Sequence, residues 1–192
     1  MHRIESIIAA HLATIQALRE QRPVIERIGN LIIECLQRGG KVCWLGNGGS
    51  AANCQHLAAE LVGRFERDRR GLASVAFTTD TSALTSIAND YGFEQIFARR
   101  VEALCRPRDL VIGLSTSGNS PNVLAAIETA RHNDIATAGL SGRAGGKLKD
   151  LADACLVVPA ENTARIQEAH ILVGHILCDL AEAQLSGSET KP

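Results

Sequence analysis

The sequence has few aromatic side chains and almost no net charge. Aromatic residues make up 3% of the 192 residues, and 20 lysines and arginines face 21 aspartates and glutamates, which gives a formal net charge of -1. Such a chain offers neither stacking platforms for bases nor a broad positive field. We therefore expect no nucleic-acid partner and no anionic membrane partner, and any anionic ligand must be bound by local groups.

The sequence also lacks a disulfide pattern and an unbroken apolar span. Its six cysteines include no C-x-x-C pair, and each lies in an apolar stretch, which favours buried free thiols in a reducing compartment. Two uncharged runs, 42–59 and 110–127, are interrupted by Gly, Ser and Asn, which a bilayer disfavours. With no visible signal peptide, these features predict a cytoplasmic protein without a membrane partner.

The spacing of apolar residues changes along the chain. Up to about residue 40 it is helical, over 3–20 and again after Pro23. Beyond that point, short apolar runs alternate with helical patterns. The runs, which predict strands, lie at 41–46, 73–78, 109–114, 135–140 and 154–159. The helical patterns lie near 50–66, 81–88, 93–105, 120–132 and 163–185, and the glycine-rich stretch 141–147 favours a loop.

Strands that are apolar throughout and alternate with helices are typical of a parallel sheet covered on both faces. We predict an α/β fold, a three-layer sandwich with a five-stranded parallel sheet flanked by helices, plus N-terminal helices. The chain divides into an N-terminal helical extension with oligomer contacts (1–40), the α/β domain (41–186) and a flexible tail (187–192).

A glycine-rich loop follows the first predicted strand, at the sheet edge where ligands of open parallel sheets bind. The string GNGGSA at 46–51 formally matches the G-x-G-x-x-A fingerprint of dinucleotide sites, and Asp80 could accept a ribose hydroxyl. Nothing resembles a hydride-transfer site, however, and the next helix carries an unexpected polar stripe. Dinucleotide binding is therefore disfavoured.

A serine-rich loop, STSGNSPN at 115–122, follows the third predicted strand. Ser120 suits a helix N-cap and Pro121 the first helical position. One cap needs one hydroxyl, yet four lie within six residues of this loop. Hydroxyls and free amides at a helix N-terminus suit a phosphate. No lysine of a nucleotide-hydrolysing P-loop follows, which favours a sugar phosphate.

Two helices carry polar side chains at helical spacing. On the helix 50–66, Asn53, His56, Glu60 and Arg64 recur at steps of three or four residues. On the last helix, Gln167, His170 and His175 are embedded in an apolar context. A histidine and a carboxylate four residues apart can share a metal or a proton path. The alternatives are an exposed polar face on the first helix and satisfied core histidines on the second.

An arginine-rich segment follows the first of these helices. Residues 64–70 read RFERDRR, so acidic side chains interrupt the basic ones. We interpret this segment mainly as a solvated helix end, from which Arg64 could reach the site by continuing the His56–Glu60 stripe.

Three strings together, GNGGSAANCQHLAAELVGRF (46–65), STSGNSPNVLAA (115–126) and TARIQEAHILVGHILCDL (163–180), resemble the phosphoheptose isomerase family of sugar isomerase (SIS) domain proteins. The resemblance implies a parallel α/β sandwich assembled as a homotetramer. It also implies conversion of sedoheptulose 7-phosphate to D-glycero-D-manno-heptose 7-phosphate through an enediol, the first step toward the ADP-heptose of lipopolysaccharide.

The resemblance assigns roles to individual residues. Sugar-phosphate contacts are implied for Asn47, Gly48, Gly49, Ser50, Glu60, Asn89, Asp90, Ser115, Thr116, Ser117, Ser120 and Gln167. One Zn²⁺ per subunit is implied, with His56, Glu60, Gln167 and His175 as its ligands. Glu60 is implied as the catalytic base and His175 as the acid.

Two non-catalytic alternatives belong to the same domain family. One is a binding protein of the DnaA initiator-associating (DiaA-like) type, and the other is a sugar-phosphate sensor. The DiaA-like motif lacks a carboxylate equivalent to Glu60. Because this chain keeps Glu60, the resemblance favours an enzyme.

Overall fold

Two N-terminal helices precede the sheet in the computed structural model, which describes residues 2–186. Helix α1 spans His2–Ala17, a 3-10 turn spans Leu18–Gln21, and α2 spans Arg22–Gln37. Pro23 lies in the first turn of α2, where its missing N–H is not needed. The helix predicted over 3–20 thus ends as a 3-10 turn from Leu18 onward, and Leu18 is buried.

Five parallel strands follow, in the spatial order β2-β1-β3-β4-β5. Their bounds are Val42–Gly46 (β1), Ser74–Ala76 (β2), Leu110–Ser115 (β3), Ala136–Gly142 (β4) and Ala154–Val158 (β5). The helices between and after them are α3 (Gly49–Val62), α4 (Thr81–Tyr91), α5 (Ala98–Leu104), α6 (Pro121–His132), α7 (Gly146–Leu151) and α8 (Thr163–Leu185). Since β1 has β2 on one side and β3 on the other, the strand order reverses at β1.

Two hydrophobic cores cover the two faces of the sheet. One core includes Trp44 of β1 and packs α2, α3 and α8 against the sheet. The other includes Leu45, the next residue of β1, and packs α4, α5 and α6. Successive side chains of a strand point to opposite faces, so this alternation produces two helical layers. The predicted three-layer α/β sandwich is confirmed.

The elements differ from the predicted ones mainly at their ends. The helix predicted over 50–66 ends at Val62, and the strand predicted over 73–78 is reduced to Ser74–Ala76. The predicted helix 93–105 is a 3-10 turn followed by α5. The predicted loop 141–147 contains the end of β4 and the start of α7, whose first residue, Gly146, has a positive φ of 57°.

The N-terminal helices belong to the packing of the domain and also expose apolar surface. Ile28 and Ile32 of α2 are in the same core as Trp44, and His11 of α1 bonds to Glu168 of α8 at 2.7 Å. Four apolar side chains of α1 remain 44–65% exposed: Ile4, Ile7, Ile8 and Leu12. The division at residue 40 stays a prediction, and the predicted tail 187–192 lies outside the described residues.

All six cysteines carry free thiols, and five are buried while Cys155 is partly exposed. The prediction of buried thiols is therefore confirmed for five cysteines and is wrong for Cys155. Among the helices described here, none is long and apolar enough to cross a membrane.

Candidate functional site

The glycine-rich and serine-rich loops meet at the carboxyl edge of the sheet. Asn47 directly follows β1 and Ser115 ends β3, and these strands are neighbours in the sheet. This is where the strand order reverses, the position at which open α/β sheets bind ligands. Gly48 has a φ of +55°, a conformation that glycine adopts at little cost. The backbone of this loop therefore depends on that glycine.

The serine-rich loop holds its hydroxyls close together. Ser115 Oγ lies 2.8 Å from Ser120 Oγ and 3.5 Å from Ser117 Oγ. Ser120 occupies the N-cap position of α6, as predicted, but its side chain makes no capping bond there. Its hydroxyl pairs with Ser115 instead. The result is a cluster of hydroxyls at a helix N-terminus, a neutral environment that suits a phosphate group.

An amide pair joins the two loops. Asn47 Nδ2 donates to Asn122 Oδ1 at 2.8 Å, and Asn122 Nδ2 donates to Asn47 Oδ1 at 2.9 Å. Asn122 lies in the first turn of α6 and is 2% exposed. Asn122 belongs to the serine-rich string STSGNSPN, but its position there predicts no role for it. Its partner is 75 residues away, so no local pattern indicates the pair.

Helices α3 and α8 bring three of the predicted metal ligands together. His56 Nε2 lies 2.9 Å from His175 Nε2 and 3.2 Å from Glu60 Oε1. Ligand atoms of all three side chains lie within 4.8 Å of one another. His56 is exposed, whereas Glu60 and His175 are half-buried. The polar stripe of α3 is therefore part of a cluster rather than an isolated exposed face.

This cluster is a candidate metal site. Zn²⁺ binds His nitrogen and carboxylate oxygen at about 2.0–2.2 Å, which separates neighbouring ligand atoms by roughly 3.3 Å. The separations of 2.9 and 3.2 Å are close to that value. Two imidazoles and one carboxylate are also a donor set that zinc favours.

Gln167 and the glycine-rich loop are in close contact. A Cβ added to Gly49 would lie 2.7 Å from Gln167 Nε2, so the side chain of Gln167 covers the beginning of α3. A second close approach occurs at Gly174, where an added Cβ would overlap Leu57 of α3. A glycine beside His175 indicates the close approach of another chain or a ligand, but the structure places another helix of the same chain there.

Asn89 and Asp90 lie at the C-terminal end of α4, and both are exposed. Asn89 Nδ2 donates to Asp90 Oδ1 at 2.8 Å. Their contribution to a sugar site, like that of Thr116 and Ser50, stays a prediction. Asp80 caps α4 by accepting from the Ala83 N–H at 3.0 Å, which is a structural role in place of the ribose contact considered above.

His170 is a core histidine. It is fully buried, and its Nε2 lies 3.0 Å from the carbonyl oxygen of Ser141. Burial lowers the pKa of His170 to about 4, although the bond to Ser141 opposes this change. His170 is therefore a core histidine, as one interpretation of the last helix predicted. His175, in contrast, lies in the cluster with His56 and Glu60.

The interpretation of 64–70 as a solvated helix end is wrong for Arg69. The Arg69 side chain is 4% exposed, and its Nη2 lies 2.9 Å from Oε1 of the fully buried Glu182. Arg64 is exposed beyond the end of α3, so it does not continue the helical stripe of His56 and Glu60. Sequence reasoning missed Glu182, because position 182 looks like an ordinary surface site near the end of a helix.

Comparison with known proteins identifies the family. The SIS domain family model matches residues 8–142. A phosphoheptose isomerase of Roseiflexus sp. is 53% identical over 95% of this chain and 91% of its own length. That of Helicobacter hepaticus is 52% identical over 94% and 92%. The chain belongs to the phosphoheptose isomerase family. The resemblance of the three strings is thereby confirmed.

A solved member of this family has the same fold. Phosphoheptose isomerase GmhA from Neisseria gonorrhoeae superposes with a TM-score of 0.90 at 42% identity, over 95% of this chain and 98% of that one. Family membership makes the dinucleotide interpretation of GNGGSA unnecessary.

Proposed function

We propose that this chain isomerises sedoheptulose 7-phosphate to D-glycero-D-manno-heptose 7-phosphate, a reaction that opens the route to ADP-heptose and lipopolysaccharide. The names of its relatives support an isomerase of phosphoheptoses. The observation that carries the proposal is the cluster of His56, Glu60 and His175, which joins a carboxylate and two imidazoles. An aldose–ketose isomerase needs a base and an acid at adjacent carbons of its substrate.

In this proposal Glu60 takes the proton from C1 of the open-chain ketose. His175 protonates the carbonyl oxygen on C2, which gives the enediol. Return of a proton to C2 and loss of the proton on the C1 oxygen then give the aldose and restore both side chains. Glu60 is half-buried within the cluster, where a carboxylate can act as a general base.

A zinc ion fits the same cluster. His56, Glu60 and His175 would hold it, with Gln167 as the fourth ligand. When bound, it supplies positive charge that polarises a carbonyl and stabilises an enediolate. A cation also makes a carboxylate a poorer base, so we propose that Glu60 uses one oxygen as ligand and the other as base.

The serine-rich loop would bind the phosphate. Ser115, Thr116, Ser117 and Ser120 supply the hydroxyls, and the N-terminus of α6 supplies a favourable dipole. Asn47, Gly48, Gly49 and Ser50 at the neighbouring loop, with Asn89 and Asp90 of α4, would contact the sugar. This arrangement separates the phosphate at one strand end from the reacting carbons at the cluster of α3 and α8.

We also propose a cytoplasmic homotetramer. The exposed apolar face of α1 supports assembly, because a contiguous apolar surface of this kind marks an interaction site. Six free thiols support a reducing compartment. Residues 1–40 would supply the oligomer contacts.

The test is turnover of sedoheptulose 7-phosphate by the purified chain, with product identification by NMR and with zinc added or chelated. We expect the aldoheptose 7-phosphate, and a rate that depends on zinc. Glu60→Gln should lower kcat by orders of magnitude with little loss of phosphate binding, whereas the control Glu102→Gln, an exposed carboxylate of α5, should leave kcat unchanged. Near-normal turnover by Glu60→Gln would overturn the base assignment.

The non-catalytic alternatives are not favoured, because Glu60 is present and lies within the cluster. They predict a different result in the same assay. A wild-type chain that binds the sugar phosphate but forms no product, with or without zinc, would support a DiaA-like binding protein or a sensor and would overturn the proposed isomerase.

A further inference from the structure

Glu182 of α8 is a carboxylate without any exposed surface. Its oxygens accept hydrogen bonds from three successive backbone N–H groups. The donors are Phe65 at 2.7 Å, Glu66 at 2.9 Å and Arg67 at 2.9 Å. Burial alone would raise the pKa of Glu182, but these N–H groups and Arg69 together hold it below its ordinary value. Glu182 therefore stays charged and fixes the course of the segment that follows α3.

Arg69 extends this anchor to the end of α3. Besides its ion pair with Glu182, its guanidinium donates to the carbonyl oxygens of Leu61 at 2.9 Å and Gly63 at 3.0 Å. It also donates to the carbonyl oxygen of Glu60 at 2.9 Å. The last carbonyls of a helix have no partner within the helix, and a cation there interacts favourably with the helix dipole. Arg69 thus holds the turn of α3 that carries Glu60.

Phe65 connects the same anchor to His175. Its backbone N–H is held by Glu182, and its ring centroid lies 5.3 Å from that of His175, with 31° between the ring planes. Aromatic rings in this range attract each other. The contact leaves the imidazole of His175, which also lies beside His56, less freedom to rotate.

We propose that Glu182 and Arg69 are positioning residues for the catalytic cluster. Their buried ion pair holds residues 63–70 as a strap, which keeps Phe65 against His175 and the last turn of α3 in place. The proposal rests on the roles proposed for Glu60 and His175. A buried ion pair contributes little net stability, since desolvation of both charges opposes their attraction, so stability alone does not account for it.

The first experiment compares Glu182→Gln with the matched control Asp179→Asn. Glutamine keeps the size of the side chain but removes the charge and turns one acceptor into a donor, facing backbone N–H groups. Asp179, on the same helix, forms an exposed ion pair with Arg67 at 2.6 Å. We expect Glu182→Gln to lower kcat by about tenfold or more, as is common for residues that orient a ligand. The control should retain kcat.

The KM for the sugar phosphate distinguishes a positioning role in the cluster from a general disturbance of the fold. The serine-rich loop joins β3 to α6 and contains no residue of the strap, so KM should change by less than about twofold in Glu182→Gln. Rates are taken per folded molecule, well below the unfolding transition. An unchanged kcat, or an equal rise in KM for both variants, would overturn the proposal.

Phe65 provides a second test if Glu182→Gln does not fold. Phe65→Leu removes the ring and should lower kcat, while Phe65→Tyr keeps the ring and should restore it. In the metal-free protein, the imidazole proton resonances of His175 should shift in Phe65→Leu and Glu182→Gln, because the ring current of Phe65 is lost or displaced. Resonances that stay in place would overturn the proposal.

These readouts separate the failure of this inference from failure of the proposed function. A wild-type chain without isomerase activity would contradict the proposed function alone, and the His175 resonances would still decide whether the strap holds the ring. An active wild type with an unperturbed His175 in both variants would contradict the strap alone.

Discussion

His170 should make the fold sensitive to mild acid. The side chain is fully buried in α8, and its Nε2 bonds to the carbonyl oxygen of Ser141 at 3.0 Å. Its Nδ1 is a buried atom without a hydrogen-bond partner among the described residues. Burial lowers the pKa of His170 to about 4 against an ordinary value of 6.5, with the bond to Ser141 opposing this.

The size of the effect follows from these two pKa values. Between pH 4 and pH 6.5 the unfolded chain binds a proton at His170 that the folded chain does not, so the free energy of unfolding falls as the pH is lowered through this window. Linkage gives a loss of about 2 kcal/mol on going from pH 7 to pH 5, and about 3 kcal/mol below pH 4. At about one pH unit above 6.5 neither state binds a proton at His170, and the effect disappears.

Urea unfolding at several pH values measures this loss, with the fluorescence of the single, fully buried Trp44 as the probe. His170→Gln retains a donor for Ser141 but does not titrate, so its stability should fall less steeply below pH 6.5. His132→Gln, at an exposed position of α6, should behave like the wild type. Equal slopes for wild type and His170→Gln would refute the reasoning.

Three further predictions concern the site and the assembly. Asn122→Ala leaves the Asn47 amide without its partner at 2.8–2.9 Å, so KM should rise by an amount equivalent to about 1–3 kcal/mol; an unchanged KM would contradict this. Ser120→Ala removes a hydroxyl near the phosphate and should weaken binding by about 1.5–3 kcal/mol, measured by calorimetry with the sugar phosphate. Ile8→Glu places a charge on the apolar face of α1 and should reduce the sedimentation coefficient, unless the wild type is already monomeric at micromolar concentration.

Local sequence pattern is sufficient for most of the fold. Apolar runs between helical patterns predict all five strands, and their uniform hydrophobicity predicts a parallel sheet covered on both faces, as observed. Helix α7 was not predicted, because it is short and because the residue at which it begins is determined by tertiary contacts. Gly145 and Gly146 both have positive φ, and the N–H of Leu148 donates to the carbonyl oxygen of Gly118 at 3.0 Å. A glycine-rich string does not reveal such a contact.

In the candidate site, too, local pattern predicts some residues, whereas others depend on contacts between distant parts of the chain. Helical spacing alone places His56 and Glu60 on one face of α3, as the structure confirms. His175 joins them from 119 residues further along the chain. Its apolar context on the last helix made it a candidate, and the family resemblance assigned it to the same site as His56 and Glu60. Asn122 and Glu182 were missed for the same physical reason: their partners are distant in sequence, and a lone Asn or Glu near a helix end has many ordinary explanations.

Gly174 shows how the packing of two helices brings the cluster together. A side chain at this position would overlap Leu57 of α3, so the absence of a Cβ lets α3 and α8 approach closely one residue before His175. Leu57 directly follows His56, and that close approach places the two imidazole Nε2 atoms 2.9 Å apart. The strand ends position the serine-rich loop, whereas the distance between α3 and α8 determines the geometry of the cluster of His56, Glu60 and His175. Gly174 has no functional group, but because it has no Cβ it allows the close packing of α3 and α8 on which the cluster depends.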